Sequence, residues 1–158
     1  MRSVVLISLL AMLAACGQPQ QQSAPPTAPD EFAGMPSWAR DYVGKPISET
    51  FPTGSLSCVG FVDGADKQHA PIRITGWGWD RSASRGYDAV ISVGADGTIT
   101  GAGTTTTDRP DVLNSLHGVV TSPRVGYEVV TTATTGVQAV YGVDLTAHTA
   151  CSFGSASL

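Results

Sequence analysis

The strongest constraint on the fold of this chain is a succession of short strand-like runs that starts near residue 55. Each run is rich in β-branched or aromatic residues and is followed by residues that favour turns. The runs are residues 56–62, 72–79, 87–93, 98–103, 125–132, 137–145 and 150–153. Regularly spaced short strands are typical of small sandwiches and barrels. The sequence therefore predicts an all-β fold, a single small antiparallel β-sandwich or barrel over residues 55–158.

The residues between the runs predict how the strands are connected. We expect a turn at 63–66, a polar loop at 81–86, a hairpin at Ala95-Asp96-Gly97 and a second hairpin around Thr134-Thr135-Gly136. A short helix is predicted near residues 109–116, between the two hairpins.

Details within three of these elements can also be predicted. Asp108 is suited to cap the short helix, because its carboxylate can accept hydrogen bonds from the first turn. The alternation in residues 87–93 predicts a half-buried strand. In the last long run one face is apolar throughout, and its residues are Val137, Ala139, Tyr141, Val143 and Leu145.

The start of the chain carries the pattern of a bacterial export signal. Arg2 precedes an apolar run of about ten residues, which is too short to cross a bilayer. The run ends in Leu13-Ala14-Ala15-Cys16-Gly17, which resembles the lipobox of bacterial lipoproteins. The resemblance implies that residues 1–15 are a signal peptide, that cleavage precedes Cys16 and that Cys16 carries acyl chains such as palmitate.

Lipidation defines the expected location of the protein. Each buried CH₂ group of an acyl chain contributes about 0.8 kcal/mol, so several chains form a durable membrane anchor. Gly17 is not the Asp that favours inner-membrane retention in enterobacterial lipoproteins. The resemblance therefore implies a cell-envelope protein in the outer membrane, facing the periplasm or the cell surface.

Two segments connect the anchor to the β domain. Residues 16–35 are rich in Gln, Pro, Ser and Ala and predict a disordered, lipid-anchored linker. Residues 36–54 predict a short helix and a lead-in to the domain. Trp38 and Tyr42 stand four apart in this segment and would share a face, which either packs on the domain or binds a partner.

The remaining cysteines predict a disulfide. Cys58 and Cys151 lie near the two ends of the β domain, and the envelope is an oxidising compartment. We expect them to be oxidised, with Cα atoms within about 7 Å of each other. A metal-binding or redox pair is the alternative, although neither cysteine belongs to a Cys-x-x-Cys motif.

Trp77 and Trp79 are the most conspicuous residues of the run at 72–79. They would share one face of a regular strand, whereas Ile72 and Ile74 would share the other. The two pairs therefore cannot both face the core of the domain without an irregularity in the strand.

Two arrangements resolve this conflict. A bulge near Thr75 or Gly76 would turn all four apolar side chains inward. Alternatively, the tryptophans face outward as a platform for sugar rings or a protein partner, and the glycines let another element approach closely. Because core aromatic residues are the common case, we favour a buried or mostly buried pair. We predict that Trp79, next to Asp80, is mostly buried and that Trp77 is the more exposed of the two, because the glycines that flank Trp77 leave fewer side chains of its own strand to shield it.

A second resemblance concerns three short motifs of the β domain, Gly76-Trp77-Gly78-Trp79-Asp80, Asp96-Gly97 and Arg109-Pro110-Asp111-Val112. Their order is similar to the Gly-Trp-x-x-Asp, Asp-Gly, Arg-Pro-Asp-Val pattern of small β modules attached to bacterial surface and glycan-related proteins. The resemblance implies that Asp80 and Arg109 form an ion pair that holds the helix at the end of the tryptophan strand. The candidate binding or structural residues are Trp77, Trp79, Asp80 and Arg109.

Composition and motifs favour a binding protein over an enzyme. Charged residues are sparse, the net charge is −4, and no Lys/Arg cluster is present to bind nucleic acid. His69, His117 and His148 lack metal-ligand spacing, and the chain has neither a Gly-x-Ser-x-Gly nor a Ser-x-x-Lys motif. We expect no catalytic residue, metal or cofactor.

The sequence therefore indicates a non-enzymatic, lipid-anchored binding or scaffold module of the cell envelope that contacts glycan or a protein partner. One alternative is a periplasmic inhibitor of an envelope hydrolase, which would present a rigid loop at 81–86 or 104–108. Another is a small envelope enzyme, which would need a cleft with converging titratable groups.

Overall fold

The computed structural model describes residues 30–54 and 57–158. The predicted signal peptide, the predicted lipidation site Cys16 and most of the predicted linker lie outside these residues. The helices of the described part are a 3₁₀ helix Ser37–Asp41, α1 Ile47–Thr50 and α2 Pro110–Ser115, and none of them is long and apolar enough to cross a membrane. Its strands are β1 Thr53–Gly54, β2 Cys58–Asp66, β3 Ile72–Asp80, β4 Arg85–Gly86, β5 Ala89–Val93, β6 Ile99–Asp108, β7 Arg124–Thr131, β8 Val137–Asp144 and β9 Thr149–Ser157.

These strands form one sheet that nearly closes into a barrel. The order is β1-β9-β8-β5-β6-β7-β3-β2, and β4 pairs with the end of β3. Neighbouring strands are antiparallel except β1 and β9. β2 lies alongside β9, where the Cys58–Cys151 disulfide joins the two strands with Cα atoms 6.2 Å apart. The predicted all-β fold and its closing disulfide are confirmed.

Aromatic rings fill the barrel, and glycines make room for them. Phe153 stacks on Tyr127 with ring centroids 5.7 Å apart and meets Tyr87 in a T-shaped arrangement at 5.5 Å. A Cβ atom at Gly60 or Gly78 would lie 2.3 Å from a carbon of the Phe153 ring. Any larger residue at those two positions would displace the ring at the centre of the barrel.

The lead-in segment, residues 36–54, packs on the outer face of β5, β6 and β8. Trp38 contacts Tyr42 with ring centroids 5.9 Å apart, and Tyr42 stacks on Phe51 at 5.5 Å. The predicted common face of Trp38 and Tyr42 and its packing on the domain are confirmed. The prediction of a half-buried β5 is wrong, because its outward residues meet this segment while Val90 faces the barrel interior.

Helix α2 and the residues after it cover the outer face of β3 and β7. Val112 and Val120 of this covering segment pack with Trp79. The predicted helix is confirmed, but its predicted cap is wrong. Asp108 is the last residue of β6, Arg109 precedes the helix, and no side chain caps the first turn.

Several connections differ from the sequence prediction. Residues 63–66 belong to β2 instead of a turn, and Asp63 is a bulge residue between Val62 and Gly64. Residues 104–108, considered above as a loop, are part of β6. β7 and β8 do not pair as a hairpin, since β7 lies between β6 and β3 and β8 lies between β5 and β9.

β8 turns the face opposite to its predicted apolar row into the barrel. Gln138 and Val140 are buried, whereas Val137 is 53% exposed. Tyr141 and Val143 pack beneath the lead-in segment, outside the barrel. Because both faces of this strand meet apolar neighbours, the alternation in the sequence does not indicate which face points into the barrel.

Candidate functional site

The two tryptophans of β3 point outward from the barrel. β3 pairs with β7 without a break from Ile72 to Trp77, and the irregularity in this region lies in β2 at Asp63. A bulge near Thr75 or Gly76 is therefore wrong, and the alternative with outward tryptophans is the one observed.

Their outward direction does not leave both tryptophans exposed. Trp79 is 1% exposed, because the covering segment around Val112 packs on it, whereas Trp77 is half buried. The predicted order of exposure is confirmed. Gly78 faces the interior, where the Phe153 ring of β9 approaches the strand closely.

Phe61 extends the exposed aromatic surface beside Trp77. It lies directly opposite Trp77 in the β2–β3 pair and, at 58%, is the most exposed large hydrophobic side chain of the described residues. Directly opposite residues of an antiparallel pair have Cβ atoms about 5 Å apart on the same face. On the other side of Trp77, its direct neighbour is Gly126 of β7. These positions form a row across β2, β3 and β7.

Arg109 occupies the space above Gly126 at the end of this row. A Cβ atom at Gly126 would lie 3.0 Å from Cγ of Arg109, so the missing side chain lets the arginine stem lie on the sheet. The guanidinium donates from Nη1 to Asp63 at 2.6 Å, from Nη2 to Asp111 at 2.7 Å and from Nε to Asp111 at 2.9 Å. We call Phe61, Trp77, Arg109, Asp63 and Asp111 the aromatic patch.

The charges of the aromatic patch stabilise one another. The hydrogen bond to Asp111 and then that to Asp63 raise the pKa of Arg109, and the same hydrogen bond from Arg109 lowers the pKa of Asp111. The side chain of Arg109 is mostly buried at 24% exposure, which favours a fixed geometry for its remaining N–H groups.

The predicted partner of Arg109 is wrong. Asp80 turns into the loop after β3, where its Oδ1 accepts hydrogen bonds from the N–H groups of Ser82 at 2.8 Å and Ala83 at 3.2 Å. Asp63 takes the place of Asp80 because the β2 bulge directs its carboxylate towards the helix start.

The sequence prediction included neither Phe61 nor Asp63 among the site residues. The sequence contains a signal for Phe61, because Phe61 lies between Gly60 and Val62 in a strand-like run and would point to the opposite face from both. The bulge had no comparable signal, because Asp63-Gly64 also suits a turn.

The fold and this site define a nearly closed β-barrel module that carries an exposed aromatic patch. Comparison of the chain with protein-family models, with curated proteins and with solved structures finds no match. Among the described residues, no three His, Cys, Asp or Glu side chains are grouped so that they could hold a metal ion.

Proposed function

We propose that this protein is a non-enzymatic, lipid-anchored binding module of the cell envelope and that its aromatic patch contacts glycan. The observation that carries the proposal is the row formed by Phe61, Trp77 and Arg109, which stays accessible although Trp79 on the same face is covered. Clustered exposed aromatic residues on a small domain commonly mark a contact surface.

The chemistry of the patch suits sugar rings. One face of a pyranose carries C–H groups that pack on aromatic side chains, while its hydroxyl groups need hydrogen-bond partners at the edge. The pairs of Arg109 with Asp63 and Asp111 stand beside the aromatic residues and offer both donors and acceptors. Neighbouring strands are about 4.8 Å apart, so the row spans about 10 Å.

The envelope location in this proposal is supported by the lipobox from Leu13 to Cys16. The acyl chains on Cys16 would hold the barrel at the outer membrane, facing the periplasm or the cell surface. The proline-rich linker would give the barrel enough reach to contact glycan next to the membrane.

We expect Phe61→Ala to weaken capture of the host's insoluble cell-wall glycan by about tenfold or more, since burying a phenylalanine side chain contributes about 1.5–3 kcal/mol. Capture is measured by cosedimentation of the full-length lipoprotein in detergent. Val137→Ala is the matched control, because Val137 is 53% exposed and is not part of the aromatic patch.

Wild-type capture by the Phe61→Ala variant would contradict the role of the aromatic patch. Binding of a purified envelope protein in place of glycan, lost in Phe61→Ala, would assign the patch to a protein partner. If that partner is a hydrolase whose activity falls on binding, the inhibitor function replaces the proposed one.

We expect Cys16→Ala to abolish lipidation and to leave the precursor uncleaved, because the acyl chains are attached to the cysteine sulfur. Metabolic labelling with a fatty-acid analogue, followed by fractionation of the envelope, measures both effects. Cys58→Ala serves as the control, since it removes a different cysteine and should retain the label. Equal labelling of Cys16→Ala and the wild type would rule out the anchor.

A further inference from the structure

A cleft of about 400 Å³ opens at the mouth of the barrel, where β3 and β8 end and β5 begins. This volume is usual for small-ligand sites, and barrel mouths are common places for them. The buried residues Tyr87, Ala89 and Val143 are among those that line it. The residues that line it include none of the aromatic patch, so the cleft is a separate surface.

Two carboxylates line the cleft, and each uses only one of its two oxygens, Oδ1, to accept hydrogen bonds from the backbone. Oδ1 of Asp80 accepts from the N–H of Ser82, and Oδ1 of Asp144 accepts from the N–H groups of Thr146 and Ala147, all at 2.8 Å. Among the described residues, the Oδ2 atom of neither aspartate accepts a hydrogen bond. The backbone donors Ala147 and Thr146 lower the pKa of Asp144, so it is an ionised acceptor near neutral pH.

The rest of the rim adds donors and an aromatic wall. Arg85 and Asp88 form an ion pair on it, and a guanidinium has five N–H groups, more than one carboxylate can use. Trp38 lines another side, half buried and held by its contact with Tyr42. The cleft therefore combines fixed acceptors, spare donors and one aromatic ring.

We propose that this cleft binds one sugar unit, with the ring against Trp38 and its hydroxyl groups donating to Oδ2 of Asp80 and of Asp144. Arg85 donates to a further hydroxyl oxygen. The inference rests on the proposed function, because it names the part of the glycan that is recognised. The aromatic patch then holds the chain broadly, while the cleft distinguishes individual hydroxyl groups.

Charged ligands fit the cleft less well than a neutral sugar. An anion would meet Asp80, Asp88 and Asp144 with Arg85 as the one cation among the lining residues, and Arg85 is already paired. A single cation would need several carboxylates to converge on one point, and no such group of three is found in the described residues. Acceptors spread around a cleft instead match the hydroxyl groups spread around a sugar ring.

The test uses full-length lipoprotein in detergent and two probes, a disaccharide released from the host's cell-wall glycan and the insoluble polymer itself. Titration calorimetry should show that Trp38→Ala and Asp144→Asn each weaken disaccharide binding by about tenfold or more. Asp144→Asn retains an oxygen for the turn but replaces the free acceptor with a donor. Trp38→Phe keeps an aromatic wall and should restore most of the affinity.

Asp96→Asn is the matched control. Oδ1 of Asp96 also accepts a hydrogen bond from a backbone N–H group of its turn, that of Thr98, but this turn lies at the opposite end of β5. The Asp96→Asn variant should bind the disaccharide like the wild type. Phe61→Ala should reduce capture of the polymer, because the aromatic patch contacts the longer chain. Thermal unfolding of every variant checks that the fold is retained.

Each other outcome overturns a different statement. Unchanged disaccharide binding in Trp38→Ala and Asp144→Asn overturns the cleft proposal. Capture of the polymer without any disaccharide binding overturns the cleft but leaves the proposed function intact. If the cleft binds the disaccharide but Phe61→Ala does not change capture of the polymer, the role of the aromatic patch is overturned and the cleft proposal is retained. No binding of either probe overturns both.

Discussion

Replacing Trp79 with alanine is expected to lower the free energy of unfolding by about 3–5 kcal/mol, the range for large buried aromatic residues. Trp79 is 1% exposed and packs with Val112, Val120 and Val125 between β3 and the covering segment. Loss of the indole ring leaves a cavity under α2, and this helix of six residues is too short to move in and fill it. Urea unfolding followed by circular dichroism measures the change.

Trp77→Ala is the matched control for this prediction, because the same substitution is made on the same face of β3, two residues away. Trp77 is half buried, so the expected loss of stability is smaller. Its larger effect should be on glycan capture, since Trp77 lies in the aromatic patch. An equal, large destabilisation by both substitutions would make Trp77 a core residue. A negligible effect of Trp79→Ala would contradict its burial.

Removing the disulfide is expected to cost about 4–5 kcal/mol on the loop-entropy model, because Cys58 and Cys151 are 93 residues apart in sequence. The bond also joins β2 to β9, and no strand pairing links those two strands in the described part of the chain. The double variant Cys58→Ser, Cys151→Ser therefore loses a constraint on the unfolded chain and the covalent closure of the barrel.

Urea unfolding of the double variant, beside oxidised and reduced wild type, measures this loss. The reduced wild type should resemble the double variant, while the oxidised protein titrates with no free thiol at Cys58 or Cys151. Glycan capture should fall as well, because Phe61 and Asp63 follow Cys58 on the strand that the bond secures. Two reactive thiols in the native protein, or equal stability with and without reductant, would refute the prediction.

The candidate site could be predicted from the sequence only in part. The greater exposure of Trp77 could be predicted because Gly76 and Gly78 flank it, so few side chains of its own strand shield it. The pair of Arg109 with Asp80 was wrong, since a sequence pattern does not indicate which carboxylate reaches an arginine. That contact depends on the β2 bulge, which joins Arg109 to Asp63 across 46 residues of sequence.

The fold divides in the same way between local and distant interactions. Some elements follow from neighbouring residues alone. Alternation predicts strands such as β3, the turn preference of Asp96-Gly97 predicts the β5–β6 hairpin, and a proline in the first turn predicts helix α2. Each of these signals acts over only a few positions. The oxidised cysteine pair follows from residue count and the expected compartment.

Pairing of distant strands lies beyond such local rules. β7 lies between β6 and β3 instead of folding back on β8, and β5 is buried on both faces because the lead-in segment covers its outer side. Likewise, Trp79 is buried outside the barrel and not within it, because α2 and the residues after it cover an outward face. An apolar residue carries the same burial preference on either side of a sheet, so only the packing of distant segments determines which side it occupies.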